Sequence, residues 1–282
     1  MRFMNRPALA MTLMLACAAC SDGSNSNAPA SPKAFIRFIN AMPDTLGVDF
    51  HAVDIVENSP YIATLFRDIK QAGYTPVAAG TRHFREFLSN PDTATARTVS
   101  TVLVDTIMRL EAGTHYSIMH VGFARAGQTP SAKFIIRPDT IPTPPTGQLV
   151  VRVVNLAPGL GNVDVYASAS GTGPLPQAPV FANATYLVPT TYVSLPIGAT
   201  LALRATIAGA GNLAPPIASV TVPAGDSGST SLDPIPGSAI PGSVFTVYVF
   251  ARSTPDSRAP RQFLTPALVV VPDVQLLGRL KP

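Results

Sequence analysis

Apolar and polar residues along this chain alternate over short stretches, and no long segment keeps a helical apolar period. In Val48-Asp49-Phe50-His51-Ala52 the alternation is strict, as in a half-buried strand whose successive side chains point to opposite faces. Thr81 to Phe87, Ser117 to Phe123, Thr200 to Thr206 and Thr246 to Phe250 also read as strands, whereas Leu65 to Lys70 reads as a strand or a helical turn. Between such runs lie segments rich in Pro and Gly, which number 29 and 20 in 282 residues. Those residues punctuate the chain into turns, so the pattern predicts an all-β protein.

The strand pattern recurs. Ile36 to Phe50 reads IRFINAMPDTLGVDF and Val151 to Val165 reads VRVVNLAPGLGNVDV. Laid together without a gap, they align Arg37 with Arg152, Asn40 with Asn155, Pro43 with Pro158 and Asp49 with Asp164. Three more blocks follow in the same order: Tyr74 to Gly80 with Tyr192 to Gly198, Gly113 to Tyr116 with Gly242 to Phe245, and Ile135 to Asp139 with Val269 to Asp273. At roughly seven strands per copy, this predicts two tandem antiparallel β-sandwiches, immunoglobulin-like or transthyretin-like, over residues 34–139 and 147–273. Residues 140–146 hold three prolines and form a stiff linker, and 274–282 are a short tail. Within the opening unit, Phe35 to Asn40 and Val48 to Ala52 are expected to be neighbouring antiparallel strands. Arg37 with Asp49, and Arg152 with Asp164, would then be cross-strand ion pairs, contributing about 0–1 kcal/mol each at an exposed site.

The N-terminus carries a processing signal. Arg2 and Arg6 precede a short apolar run, Ala8 to Ala16, which is followed by LACAACSDGS. That run is too short for a bilayer, which takes about 20 apolar residues. It resembles the lipobox of a bacterial lipoprotein signal. Residues 1–19 are thus read as signal peptide, and Cys20 as the lipidated residue, with Cys17 the alternative acceptor and an ordinary secretory signal ending near Ala19 the alternative processing. Residues 20–33, polar and rich in Ser, Asn, Ala and Pro, form a flexible tether. Ser21 occupies the place where an Asp resembles an inner-membrane retention signal, which points to the outer membrane of the cell envelope.

Composition removes several functions. There is no cysteine beyond Cys17 and Cys20, so the folded part has neither a disulfide nor a cysteine metal site. The formal net charge of +4 is an end effect: residues 34–139 hold ten Lys/Arg and ten Asp/Glu, and residues 147–273 hold five of each. Without a clustered basic face, nucleic acid is not an expected partner.

The ordered blocks R-x-x-N-x-x-P, V-D-[FV], Y-x5-G and G-x-x-[YF] resemble the secreted family known as domain of unknown function 4397, over nearly all of residues 34–273. The resemblance implies extracytoplasmic, often lipid-anchored β domains, frequently in tandem, and brings no reaction, cofactor or catalytic residue with it. The first copy departs most from the pattern, with an irregular stretch at 54–76 and Phe50-His51 where the second has Val165-Tyr166.

Candidate chemistry is sparse. His51, His83, His115 and His120 all fall in the first copy, with Asp49 and Asp54 near His51, but no HxH or HExxH spacing occurs. They are read as solvated or hydrogen-bonded strand residues, and no metal site is expected. Gly225-Asp226-Ser227-Gly228-Ser229 is read as a polar turn, and no G-x-S-x-G elbow or phosphate loop is present. The doubled acids Asp49/Asp164 and Asp139/Asp273 sit in repeated blocks and are read as fold determinants. The seven tyrosines are assigned to core and strand surface, and the absence of Trp weakens a glycan-stacking reading. The expectation is a non-enzymatic, monomeric envelope lipoprotein without a cofactor, displayed from a membrane to bind or support an envelope protein or a glycan. The alternative is a glycan-binding or hydrolase-associated accessory unit.

Overall fold

The computed structural model of the chain describes residues 31–54, 61–70, 73–89 and 101–273. The expected signal peptide, Cys17, Cys20, most of the tether and the 274–282 tail lie outside the described residues. Within them are sixteen β-strands and no α-helix, arranged in four sheets of four strands. The all-β sandwich expected from the pattern is therefore present.

In the first half, one sheet has β1 (Lys33–Ala41) flanked by β4 (Thr75–Ala78) and β7 (His115–Val121), with β8 (Lys133–Asp139) outside β7. The other has the order β3 (Tyr61–Thr64), β2 (Val48–Ala52), β5 (Gly80–Leu88), β6 (Val102–Leu110). The second half repeats both orders. β12 (Val193–Pro196), β9 (Gln148–Asn155), β15 (Val244–Phe250) and β16 (Ala267–Pro272) form one sheet. β11 (Phe181–Ala184), β10 (Val163–Ser168), β13 (Leu201–Ile207) and β14 (Ala218–Val222) form the other. Pairing is antiparallel except for β1 with β7 and β9 with β15, which run parallel. Residues 140–146 join β8 to β9 without regular structure.

The strand sequences decide which sheets lie inside. In β1, Ala34, Ile36 and Phe38 point into the first sandwich, while Arg37, Ile39 and Ala41 on the other face are equally buried. β15 (VFTVYVF) is buried at every position, with Phe245, Val247 and Val249 in the second sandwich and Tyr248 and Phe250 on the opposite face. Strands covered on both faces lose the polar half of the alternation. The outward faces of the β1 and β9 sheets meet in a third core, where Ile39, Ala41, Met119 and Val121 pack with Val154, Leu156, Tyr248, Phe250 and Val271. Residues 32–282 accordingly form one compact unit.

The opening two strands are not neighbours, contrary to the sequence reading. β1 is hydrogen-bonded to β4 and β7, whereas β2 lies in the opposite sheet beside β3 and β5. β1 has two buried faces and β2 has one, so the chain crosses between layers at residues 42–47. Phe38 of β1 then stacks on Phe50 of β2 across the core, with ring centroids 4.7 Å apart.

Candidate functional site

Between the two inner sheets lies a buried polar cluster assembled from both halves. The Arg37 side chain is fully buried. It donates from Nη1 to Asp273 Oδ1 at 2.7 Å and from Nε to Ser117 Oγ at 2.9 Å. Arg152 donates from Nη2 to Asp139 Oδ1 at 2.5 Å and from Nε to Thr246 Oγ1 at 2.8 Å. Each arginine thus pairs with the aspartate of the other half. Ser117 and Tyr74 donate to Asp139 at 2.5 and 3.0 Å, and Thr246 and Tyr192 donate to Asp273 at 2.7 and 2.8 Å. The guanidinium of Arg37 lies 4.4 Å from the Tyr74 ring centroid, and that of Arg152 lies 4.9 Å from the Tyr192 ring centroid.

Electrostatics within the cluster balance, with two positive and two negative groups. Burial works against the charge on Arg37, but Tyr248, Asp273, Tyr74 and Asp139 outweigh it and hold the guanidinium well above its ordinary value. Burial likewise opposes ionisation of Asp139, yet Arg37, Arg152 and the Ser117 hydroxyl hold its carboxyl below the ordinary range. Burial lifts the Tyr74 and Tyr192 hydroxyls far up, and that of Tyr248 to about 12, so all three stay neutral donors. Arg37 Nη2 makes no hydrogen bond and lies 3.7 Å from Asp139. Such a closed, neutral network holds layers in register and offers no exposed reacting group.

This geometry corrects the expected ion pairs. Asp49 and Asp164 are separated from Arg37 and Arg152 because β2 and β10 belong to the outer sheets. They bind backbone instead. Asp49 accepts from Ala63 N at 2.7 Å, and Asp164 accepts from Asn183 N at 2.7 Å and from Gly209 N at 2.9 Å. Ala63 and Asn183 both have left-handed backbones, with φ of 48° and 55°, which side chains other than glycine adopt at a cost. The repeated aspartates hold those irregular strands. Asn40 and Asn155 act similarly at strand ends: each accepts from the backbone two residues on, Met42 N or Ala157 N, while Asn40 donates to the Thr64 carbonyl at the end of β3 and Asn155 to the carbonyls of Gly161 and Ala184. The carbonyl of Pro43 accepts from Thr254 N at 2.7 Å, linking the halves.

The histidines do not converge. His120 is buried against Glu86, with Nδ1 2.7 Å from both carboxylate oxygens. His83 pairs with Asp105 on the surface. His51 and His115 are partly buried, and burial lowers both below the ordinary imidazole value. Among the described residues no group of three or more His, Cys, Asp or Glu is placed to hold a metal.

Loops of both halves meet where the inner strands end. The loop between β7 and β8, that between β9 and β10, and the long 251–266 segment enclose an open cleft of about 440 Å³. Its walls include Phe123, Pro158, Gly159, Leu160 and Pro255, with Gln128, Arg252, Ser253 and Thr254 as polar residues. Arg67, at a left-handed φ of 71°, braces the 251–266 segment: it donates to the Ala251 carbonyl at 3.0 Å and to the Thr265 carbonyl, while its guanidinium lies over the Phe263 ring at 4.6 Å. Burial lowers its pKa only to about 10, so it remains charged at neutral pH. On the other flank, Arg125 donates to the Asp256 carbonyl.

Sequence reasoning placed Arg37 and Arg152 among the structural positions but missed their partners, and it missed Arg67 and the 251–266 segment. The signal for the buried inner sheets was in the text: VRVVN and VFTVYVF are apolar at alternate and intervening positions alike. No comparable signal marks Arg67, which is one surface-type residue in an irregular segment.

Residues 34–166 match the model of the family described as Domain of unknown function (DUF4397). No curated protein matches the chain. Among solved structures, the chain is similar to one from Parabacteroides distasonis described as "Putative cell adhesion protein", at 10% identity and a TM-score of 0.22, over 86% of this chain and 99% of that one.

Proposed function

We propose, from the match of residues 34–166 to the DUF4397 family model, that the protein is a non-enzymatic binding or structural display module of the cell envelope. In this reading residues 147–273 are a second copy of the same domain, supported by the four ordered sequence blocks and by the matching strand orders of the two halves. Cys20 carries the lipid anchor, with Cys17 the alternative, and residues 20–33 supply reach from the outer membrane.

The observation that carries the proposal is the convergence of loops from both halves on one apolar cleft, at the end of a body braced by the Arg37–Asp273 and Arg152–Asp139 pairs. A cleft on rigid supports binds without a large ordering cost. Pull-down from solubilised envelope tests the assignment: wild-type chain should capture a partner that Leu160→Arg, which places a charge in the cleft, fails to capture. Equal capture by both removes the cleft from the function. For the anchor, the intact mass of membrane-extracted protein should include added lipid that Cys20→Ala abolishes; a wild type without lipid mass defeats that part.

A further inference from the structure

Four sheets have eight edges, and among the described residues seven are blunted against strand pairing. β4, β8, β12 and β16 carry Pro76, Pro138, Pro196 and Pro272. β3 and β11 have four residues each, and β14 has five. Proline and shortness are the usual defences of an edge, because an open row of backbone donors and acceptors recruits another strand. β6 lacks both. It runs nine residues, Val102–Leu110, without proline, and among the described residues is paired only with β5. Along it Val102, Leu103 and Ile107 are exposed, Ile107 to 66%.

The outward face of β6 shows what would fit. Leu103, Asp105, Ile107 and Arg109 alternate on it, away from the core that receives Met108 and Leu110. An antiparallel copy of the same strand, centred on Ile107, sets Ile107 against Ile107. In that register Asp105 falls opposite Arg109 of the second copy, and Arg109 opposite its Asp105. Two-fold symmetry thus makes both opposite-charge pairs at once. The side chains of Asp105 and Arg109 are 47% and 74% exposed. Asp105 already accepts from Arg85 Nε at 2.8 Å and pairs through its other oxygen with His83, and Arg109 uses its Nε toward Glu111 at 2.8 Å, with its Nη groups making no hydrogen bond among the described residues. A shift by two residues brings Asp105 opposite Ile107 in one direction or opposite Glu111 in the other, and either dissolves both pairs.

We propose that the protein forms a two-fold homodimer in which β6 strands of two copies pair antiparallel about Ile107, joining their β2 sheets into one continuous eight-stranded sheet. This replaces the monomer expected from sequence. Paired N-terminal anchors would then hold the dimer to a membrane by two chains.

Sedimentation of the full chain with Cys17 and Cys20 replaced by serine, so that neither lipid nor disulfide supplies association, tests it. Wild type should sediment as a dimer. Ile107→Lys sets two ammonium groups at the symmetry axis and should raise the dimer dissociation constant by about tenfold or more, with thermal unfolding confirming a folded chain. Arg109→Asp and Asp105→Arg should each be monomeric alone, since like charges then face each other, and should associate when mixed because the heterodimer restores both pairs. A monomeric wild type, a dissociation constant that Ile107→Lys leaves unchanged, Arg109→Asp that still dimerises alone, or charge variants that fail to associate when mixed overturns the proposal.

Discussion

Replacing Asp273 by Ala tests whether the two halves are one cooperative body. The residue is 1% exposed, and its carboxylate accepts from Arg37, Thr246 and Tyr192. Its loss leaves Arg37 fully buried, with Asp139 at 3.7 Å as its remaining acidic neighbour and one uncompensated positive charge between the inner sheets. Removing one partner of a buried pair costs about 3–5 kcal/mol, because the other charge stays desolvated. For a body of this size each kcal/mol lowers Tm by about 2–4 °C, so a fall of about 6–20 °C is expected. Differential scanning calorimetry is the assay, and wild type should unfold in one transition. The charge-balanced double variant Asp273→Ala/Arg37→Met should recover much of the loss, since it leaves no lone charge. A fall under about 2 °C, as from an exposed pair worth about 0–1 kcal/mol, refutes the argument. So does separate melting of two units in wild type.

Three further outcomes follow from the same geometry. His120→Val should cost about 3–5 kcal/mol in denaturant titration by stranding buried Glu86, and His120→Val/Glu86→Ala should restore most of it; those residues match Val249 and Ala205 at the corresponding places of β15 and β13. The Asp139 carboxyl titrates lower when folded than its ordinary value of 3.8, so the unfolded chain takes up the proton first. Its contribution is therefore complete above that value and lost as pH falls toward the folded pKa, which stability measured from pH 7 to pH 2 should show as an acid-side decline. Residues 31–146 expressed alone expose Ile39, Met119 and Val121 and leave Arg37 without Asp273; this fragment should aggregate or remain unfolded by circular dichroism, and an independently folded monomer would contradict the shared core.

Local text determined a good deal. Alternation in Val48 to Ala52, turn residues between short apolar runs and the absence of a helical period were enough for an all-β sandwich, because strand and turn chemistry acts over a few residues. The recurrence of Arg37, Asn40, Pro43 and Asp49 at Arg152, Asn155, Pro158 and Asp164 marked positions with structural work to do. What that work is depended on the tertiary structure. Pairing Arg37 with Asp49 was reasonable from spacing alone, but β1 enters the inner sheet and β2 the outer one, since only β1 has two apolar faces to bury. Arg37 then finds its acceptor 236 residues away in Asp273, and Asp49 turns to the backbone of Ala63. Ion pairs, edges and clefts are properties of surfaces brought together, and no spacing along the chain encodes which surfaces meet.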